Sequence, residues 1–247
     1  MVKNTLFMCV LLFLCPIHSH AKELKVGVGL INYPPYYFEK DDVLHGAVIE
    51  ISQHIADKLG HTLVFERLPW PRIQLNLSRG GIDMVLLYFK TQEREKSVIY
   101  TDIPHIYDTS YLFTKKGDDI HFNGNLNSMS DYHFGNIRGY SHGVEYDNAN
   151  QLNKQLANEE KQLIRMLLND RIDVAIANKA VINVHAKEEG VLHKLSFLTP
   201  PVDINPAYFA FSKAKADSSN LAHDFSIQIK ELIATKKYLE ILKKYGL

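Results

Sequence analysis

The chain has 247 residues, 28 of them basic and 28 acidic, for a formal net charge of zero, and 46% of it is hydrophobic. Such a balance offers no electrostatic footprint for nucleic acid or an anionic membrane surface, and the length permits one sizeable core or two smaller ones. Both cysteines, Cys9 and Cys15, fall in the first fifteen residues, so the rest of the chain has to stand on its hydrophobic core without disulfides.

The N-terminal residues have the order of an export signal. Lys3 supplies positive charge, residues 5–15 (TLFMCVLLFLC) form an apolar run, and Ser19-His20-Ala21 places small residues at the cleavage positions. Removal after Ala21 is expected, because the apolar run is too short to span a bilayer, which needs about 20 residues. Met8 and Leu14 precede the cysteines where a lipoprotein signal needs a small residue, so no lipid anchor is expected. The destination implied is the periplasm or the outside of the cell.

From Leu24 onward, strand and helix signals alternate. Residues 24–29 (LKVGVG) predict a strand. Residues 46–59 carry Val48, Ile51, Ile55 and Leu59 at helical spacing, with Gly60 as a stop. Residues 62–67 alternate as a strand, Pro71 suits the first turn of a short helix ending at Arg79, and residues 82–89 (IDMVLLYF) predict a buried parallel strand. The order then repeats. Residues 133–138 predict a strand, 143–150 a short helix, 159–169 a helix with Asn158 as its N-cap, and 172–177 (IDVAIA) a closing strand. The echo is visible in the letters GGIDMVLLY and DRIDVAIAN.

Two βαβ passes imply an α/β fold of two lobes. Residues 107–115 and 207–213 predict the two crossings of a hinge, and Leu221, Phe225, Ile229 and Leu232 mark one face of a helix in the tail. The division expected is a signal peptide over 1–21, a first lobe from 22–109 and a second over 110–206. Residues 207–247 form the return crossing, with C-terminal helices packing back toward the first lobe. Ligands of open α/β sheets sit beyond the carboxyl ends of the strands, which here places the site in the cleft between the lobes.

Several segments reach that cleft. Gly139-Tyr140-Ser141-His142-Gly143 fits G-x-S-x-G, and two readings compete for it. In one, Ser141 is a hydrolase nucleophile, with Asp173 and one of His185, His193 or His223 completing a triad. In the other, a glycine turn entering a helix offers N–H groups and the Ser141 hydroxyl as a cradle for an anion. Arg94, just past the buried strand of the first pass, is the cationic partner such a cradle wants, because its planar fork grips a carboxylate bidentately. The competing reading of Arg94 is a solvated charge among Lys90, Glu93, Glu95 and Lys96. Tyr33 and Tyr36 on a loop stiffened by Pro34 and Pro35, together with Trp70, Tyr88 and Tyr140, supply aromatic walls of the kind that line small-molecule pockets. Asn178 closes the last strand of the second pass at the same level. Gly27-Val28-Gly29 begins a dinucleotide pattern, but Asn32 stands at its third glycine position, and the histidines show no H-E-x-x-H. No cofactor and no metal site are expected.

These residues resemble the family 3 extracellular solute-binding proteins, which include polar amino-acid receptors of ABC importers. The marks are LKVG with NYPPYYF, GAVIEISQHIADKLG, PW with Arg72, GGID, KTQEREKSVIYTDIP, GNIRGYSHGVEYDNA, NDRIDVAIAN and YLEILKKYG, in order from about Leu24 to Leu247. The resemblance implies the type II periplasmic binding protein fold. It also implies a ligand carboxylate held by Arg94 and by the Gly139–Ser141 turn, with Tyr33 and Trp70 packed on the ligand body. Two departures stand out: Asn178 occupies the place where amino-acid receptors carry an aspartate for the ligand ammonium, and Leu87, Tyr88 and Phe89 replace serines ahead of Arg94. A buried ammonium needs a carboxylate, which an amide does not supply.

What the resemblance implies is a monomeric, non-enzymatic periplasmic binding protein that closes on a small carboxylate or amino acid and delivers it to an inner-membrane ABC permease. Three other readings stay open: a receptor for a membrane signalling protein, a dehydratase-like enzyme on the same fold, and a serine hydrolase acting through Ser141.

Overall fold

The computed structural model describes residues 21–247; the expected export signal lies outside the described residues, apart from Ala21. The chain opens with β1 (Glu23–Gly29), runs through a hairpin of β2 (Phe38–Lys40) and β3 (Val43–His45), and enters α1 (Ala47–Lys58). There follow β4 (Thr62–Leu68), α2 (Trp70–Arg79), β5 (Met84–Phe89), the single turn α3 (Gln92–Glu95) and β6 (Val98–Tyr100). The long strand β7 (Ile106–Lys115) leads into β8 (His133–Ile137), α4 (Val144–Asn148), β9 (Asn153–Ala157), α5 (Glu160–Leu168) and β10 (Val174–Asn178). The rest is α6 (Lys179–Glu188), β11 (Leu195–Phe197), the second long strand β12 (Asp203–Ser212), α7 (Ser218–Ile233) and α8 (Lys236–Tyr245).

The main sheet has the order β4-β1-β5-β12-β7-β10-β8-β9. Each end is a parallel three-stranded unit, β4-β1-β5 and β10-β8-β9. Between them lie β7 and β12, antiparallel to each other from Ile106 opposite Ala207 to Ser110 opposite Asp203. This is the expected pair of crossings, and the boundaries read from the sequence at 109/110 and 206/207 fall inside these two strands.

Each half is held by its own apolar core. Leu24, Val26, Ile51 and Ile55 pack with Phe209, Phe211 and Phe225 in the first, and Leu221, Ile229, Leu232 and Ile241 bring both C-terminal helices into that same cluster. Phe113, Leu163, Ile164, Ile172 and Ala175 form one side of the second half, with Phe134, Tyr146, Leu112 and Ile176 on the other. Every residue of β10 is buried, as a strand covered on both faces requires.

The echo of GGID and DRID is one device used twice. Asp83 accepts the Lys25 N–H at 2.8 Å and returns its own N–H to the Lys25 carbonyl at 2.8 Å. Asp173 accepts the His133 N–H at 2.8 Å and gives its N–H to the His133 carbonyl at 2.9 Å. Each aspartate thus sets the register between its half's first and third parallel strands. The N-cap expectation for Asn158 needs correction. The cap position of α5 is Glu159, without a side-chain cap, and Asn158 instead donates its backbone N–H to Gln162 at 2.8 Å. Gln162, at the third helical position, reaches back to the N–H of the residue before the cap, one residue further than the Glu or Gln of a capping box reaches.

Candidate functional site

The loop after β1 is shaped by Arg67 at the end of β4. Its guanidinium donates to the Gly29 carbonyl at 3.1 Å, to Asn32 Oδ1 at 2.8 Å and to Glu39 at 3.0 Å. Beyond this pin the chain folds into a tight turn, with Tyr36 and Tyr37 both donating N–H to the Tyr33 carbonyl at 2.9 and 3.1 Å. Tyr33 and Tyr36 stack at 5.5 Å, and Tyr33, Tyr36 and Tyr37 are all buried.

On the same half, a ladder of rings supports Arg94. Trp70, the first residue of α2, lies 5.7 Å from Tyr88, and Tyr88 stacks on Tyr100 at 6.0 Å. The Arg94 guanidinium sits 4.4 Å above the Tyr88 ring and donates Nη1–H to the Phe89 carbonyl at 3.1 Å. Thr91 caps the short helix by accepting the Arg94 N–H at 3.2 Å. A cation over an aromatic face gains about 0.5–2 kcal/mol, enough to hold the side chain in one posture. Lys96 pairs with Glu93, whereas Arg94 makes no ion pair among the described residues. The solvated-charge reading therefore suits Lys96 and Glu93, and Arg94 is turned toward the cleft.

The opposing half presents the Gly139–Gly143 turn. Gly139 adopts φ +79°, and a β-carbon there would lie 3.6 Å from Trp70 Cδ1, so the two halves approach closely at this point. Tyr140 meets Tyr33 edge-on at 5.8 Å, a second contact between the halves. His142 is buried, shares a hydrogen bond with Ser110 of β7 at 3.1 Å, and is pushed down to about 4 by desolvation, so its ring is neutral at pH 7. At Gly143, φ is +96° and any side chain would run into Asp203. Ser141 donates its hydroxyl to Asp147, which also accepts the His142 N–H at 3.0 Å. A carboxylate of the chain itself thus lies on part of the cradle, while the N–H of Ser141 has no partner among the described residues.

Between these two walls is a cleft-like space of about 410 Å³, a volume that includes the part open to solvent. Tyr33, Tyr37, Trp70, Leu87, Phe89 and Arg94 line it from the first half, and Gly139, Tyr140 and Ser141 from the second. Asp108, from the crossing strand β7, completes the lining. Arg94 and the Ser141 turn, paired from sequence, therefore share one cavity.

The remaining expected residues stand elsewhere. Tyr88 lies behind Arg94 as its platform. Tyr36 donates its hydroxyl to the Tyr107 carbonyl at 3.1 Å and accepts from Asn178 Nδ2 at 2.9 Å, so it bonds within the protein. Asn178 is fully engaged: its amide nitrogen also donates to Asp108 Oδ1 at 2.7 Å, and its Oδ1 accepts the Val181 N–H at 3.1 Å, capping α6. Tyr36 and Asn178 line a separate groove, next to Tyr107 and Lys179. Asp108 escaped the sequence reading. Its only signal there is an acid set in the apolar run YDTSYLF of a strand that crosses between halves.

The triad reading finds no assembled triad among the described residues. Ser141 bonds an aspartate and no imidazole, and Asp173 accepts from the backbone and ring of His133.

A family profile described as "Bacterial extracellular solute-binding proteins, family 3" matches residues 24–247. A "Probable histidine-binding protein" of Campylobacter jejuni is 27% identical over 229 residues, covering 91% of this chain and 85% of that protein. An "Arginine-binding extracellular protein ArtP" of Bacillus subtilis is 23% identical over 239 residues, covering 92% and 87%. Among solved structures, the substrate-binding protein of an amino acid ABC transporter superposes with a TM-score of 0.74 at 21% identity, covering 90% of this chain and 98% of that one. A histidine kinase sensor domain with similarity to periplasmic binding proteins gives 0.78 at 19%, covering 92% and 97%. At these identities the superpositions speak to the fold, which is the type II periplasmic binding protein arrangement of two α/β lobes. With the profile running through nearly all of the described residues, the chain belongs to the family 3 bacterial extracellular solute-binding proteins.

Proposed function

We propose that the protein works in the periplasm as a monomer, closing residues 22–109 and 207–247 as one lobe and 110–206 as the other on a small carboxylate or amino acid, for delivery to an inner-membrane ABC permease. The observation that carries this is the Arg94 guanidinium, held by Tyr88 and the Phe89 carbonyl with no ion pair among the described residues, lining one cavity with Ser141 of the opposite lobe, whose N–H has no partner among those residues. A ligand carboxylate satisfies both donors at once only when the lobes are together, so its binding energy favours closure. The names of the histidine- and arginine-binding relatives, and the ABC-transporter protein among the fold neighbours, support amino-acid import. No helix among the described residues is long and apolar enough to cross a membrane.

A second reading has one observation in its favour, the kinase sensor domain among the structural neighbours. In it the same closure is read by a membrane signalling protein. A thermal-shift screen of the L-amino acids and simple carboxylates tests ligand capture in either case. A ligand at a hundred times its Kd adds about 2.7 kcal/mol, which for a chain of this size raises Tm by roughly 5–10 °C. A wild-type protein unmoved by every probe contradicts the proposal.

A further inference from the structure

Asp108 is an ionisable group in the cavity for which the described residues provide no counter-charge. It is 2% exposed and accepts two hydrogen bonds, from the Tyr33 hydroxyl at 2.7 Å and from Asn178 Nδ2 at 2.7 Å. Both donors are neutral, one to each carboxyl oxygen, and each oxygen can accept a second bond. No lysine, arginine or histidine pairs with it among the described residues. The basic group of the cavity, Arg94, is engaged with Phe89 and Tyr88 instead. Tyr33, Tyr37 and Tyr140 line the same cavity, and aromatic side chains suit a cation as well as an apolar body.

Asn178 belongs to the same arrangement. In the β7–β10 pairing it lies opposite Ser110, two residues along β7 from Asp108, and its amide donates to the Asp108 carboxyl. An acid at position 178 would set two carboxylates against one another, whereas an amide gives one carboxylate a donor. The amide at the end of β10 and the acid on β7 thus form one unit, with the negative charge carried by the crossing strand.

We propose that Asp108 is the counter-charge for a protonated amine on the ligand, so that the cleft selects a molecule carrying a carboxylate at the Arg94 end and an ammonium at the Asp108 end. This rests on the solute-binding reading and narrows it from carboxylates in general to zwitterions. Among the residues lining the cavity, Arg94 is the cation and Asp108 the acid, an arrangement that a zwitterion matches at both ends and a simple anion at one. Burial raises the Asp108 carboxyl above its ordinary range, as expected for a charge that lacks its cation, while the Asn178 and Tyr33 donors pull the other way.

The test compares each L-amino acid with its des-amino acid by isothermal titration, for example L-histidine with 3-(imidazol-4-yl)propionate and L-arginine with 5-guanidinopentanoate. Wild type is expected to prefer the amine-bearing member of a pair by about 100-fold, and Asp108→Asn to reduce that preference to within about threefold. The double variant Asp108→Asn with Asn178→Asp returns the acid to the end of β10 and should restore part of the preference, a recovery that a merely structural Asp108 does not explain. If Asp108→Asn keeps the preference, or wild type binds both members equally, the inference is overturned while solute binding stands. If Asp108→Asn does not fold, the wild-type preference and the double variant decide. If neither set of probes binds, the solute-binding reading falls and this inference with it.

Discussion

Glu160, the first residue of α5, offers a prediction whose size follows from its surroundings. It is 2% exposed, neither carboxyl oxygen has a hydrogen-bond partner on another of the described residues, and it opens onto a gap between the lobes lined by Pro34, Pro35 and His185. Desolvation pushes it up from its ordinary 4.5 to about 7, outweighing the pull of its own backbone N–H. The folded protein therefore binds more protons than the unfolded chain between those values, so stability falls as pH rises through the window. At about 1.4 kcal/mol per unit the loss amounts to roughly 3 kcal/mol by pH 8. Glu160→Gln removes the titration. The assay is urea unfolding followed by circular dichroism at intervals from pH 4.5 to 8.5, read as the difference between wild type and variant. Taking that difference matters because His142 titrates with the opposite sign in the same range, and because the amide has a burial cost that does not depend on pH. The variant should gain about 3 kcal/mol on wild type across the window. A difference constant to within about 0.5 kcal/mol, the scatter expected of independent effects, refutes the reasoning.

Two further outcomes follow. Asp147→Ala releases the Ser141 hydroxyl and the His142 N–H and removes a negative charge beside the expected ligand carboxylate; affinity for a carboxylate ligand should rise roughly tenfold by titration, and a fall would contradict the role given to the turn. His105 is buried against Phe209 at 3.9 Å with both ring nitrogens unpartnered and is pushed down from 6.5 to about 3 by burial, so the stability it allows above pH 6.5 is lost as pH falls toward 3. His105→Leu should therefore gain about 3 kcal/mol on wild type between pH 7 and 4.5 in urea unfolding, and a pH-independent difference would refute it.

The parts of the fold legible in the sequence are those with strong periodicity or a repeated device. The buried strands β5 and β10, the α1 face of Val48, Ile51 and Ile55, and the α7 stripe through Phe225 all carry their burial in the spacing of apolar residues. Strand β9 does not, because it is a sheet edge whose NKQLA buries only Ala157 at its end. The β2–β3 hairpin is equally silent: three-residue strands closed by Asp41 and Asp42, both at positive φ, leave no alternation to read.

The site divides in the same way. Arg94 and the Gly139–Gly143 turn could be paired from sequence because strand ends and glycine turns fix where they face. Asp108 could not, since its importance depends on which residues of a distant loop and of β10 end beside it. Asn178 was visible as a departure, but its reason lies in the hydrogen bond it gives to Asp108.

Ligand capture as proposed turns on a single carboxylate shared by Arg94 and the Ser141 turn. Isothermal titration of Arg94→Ala with the acid that wild type binds, and with the corresponding carboxamide, isolates that contact. Affinity for the acid should drop about 100-fold, close to 3 kcal/mol, with little further loss for the amide. Acid binding by the variant within threefold of wild type would contradict it.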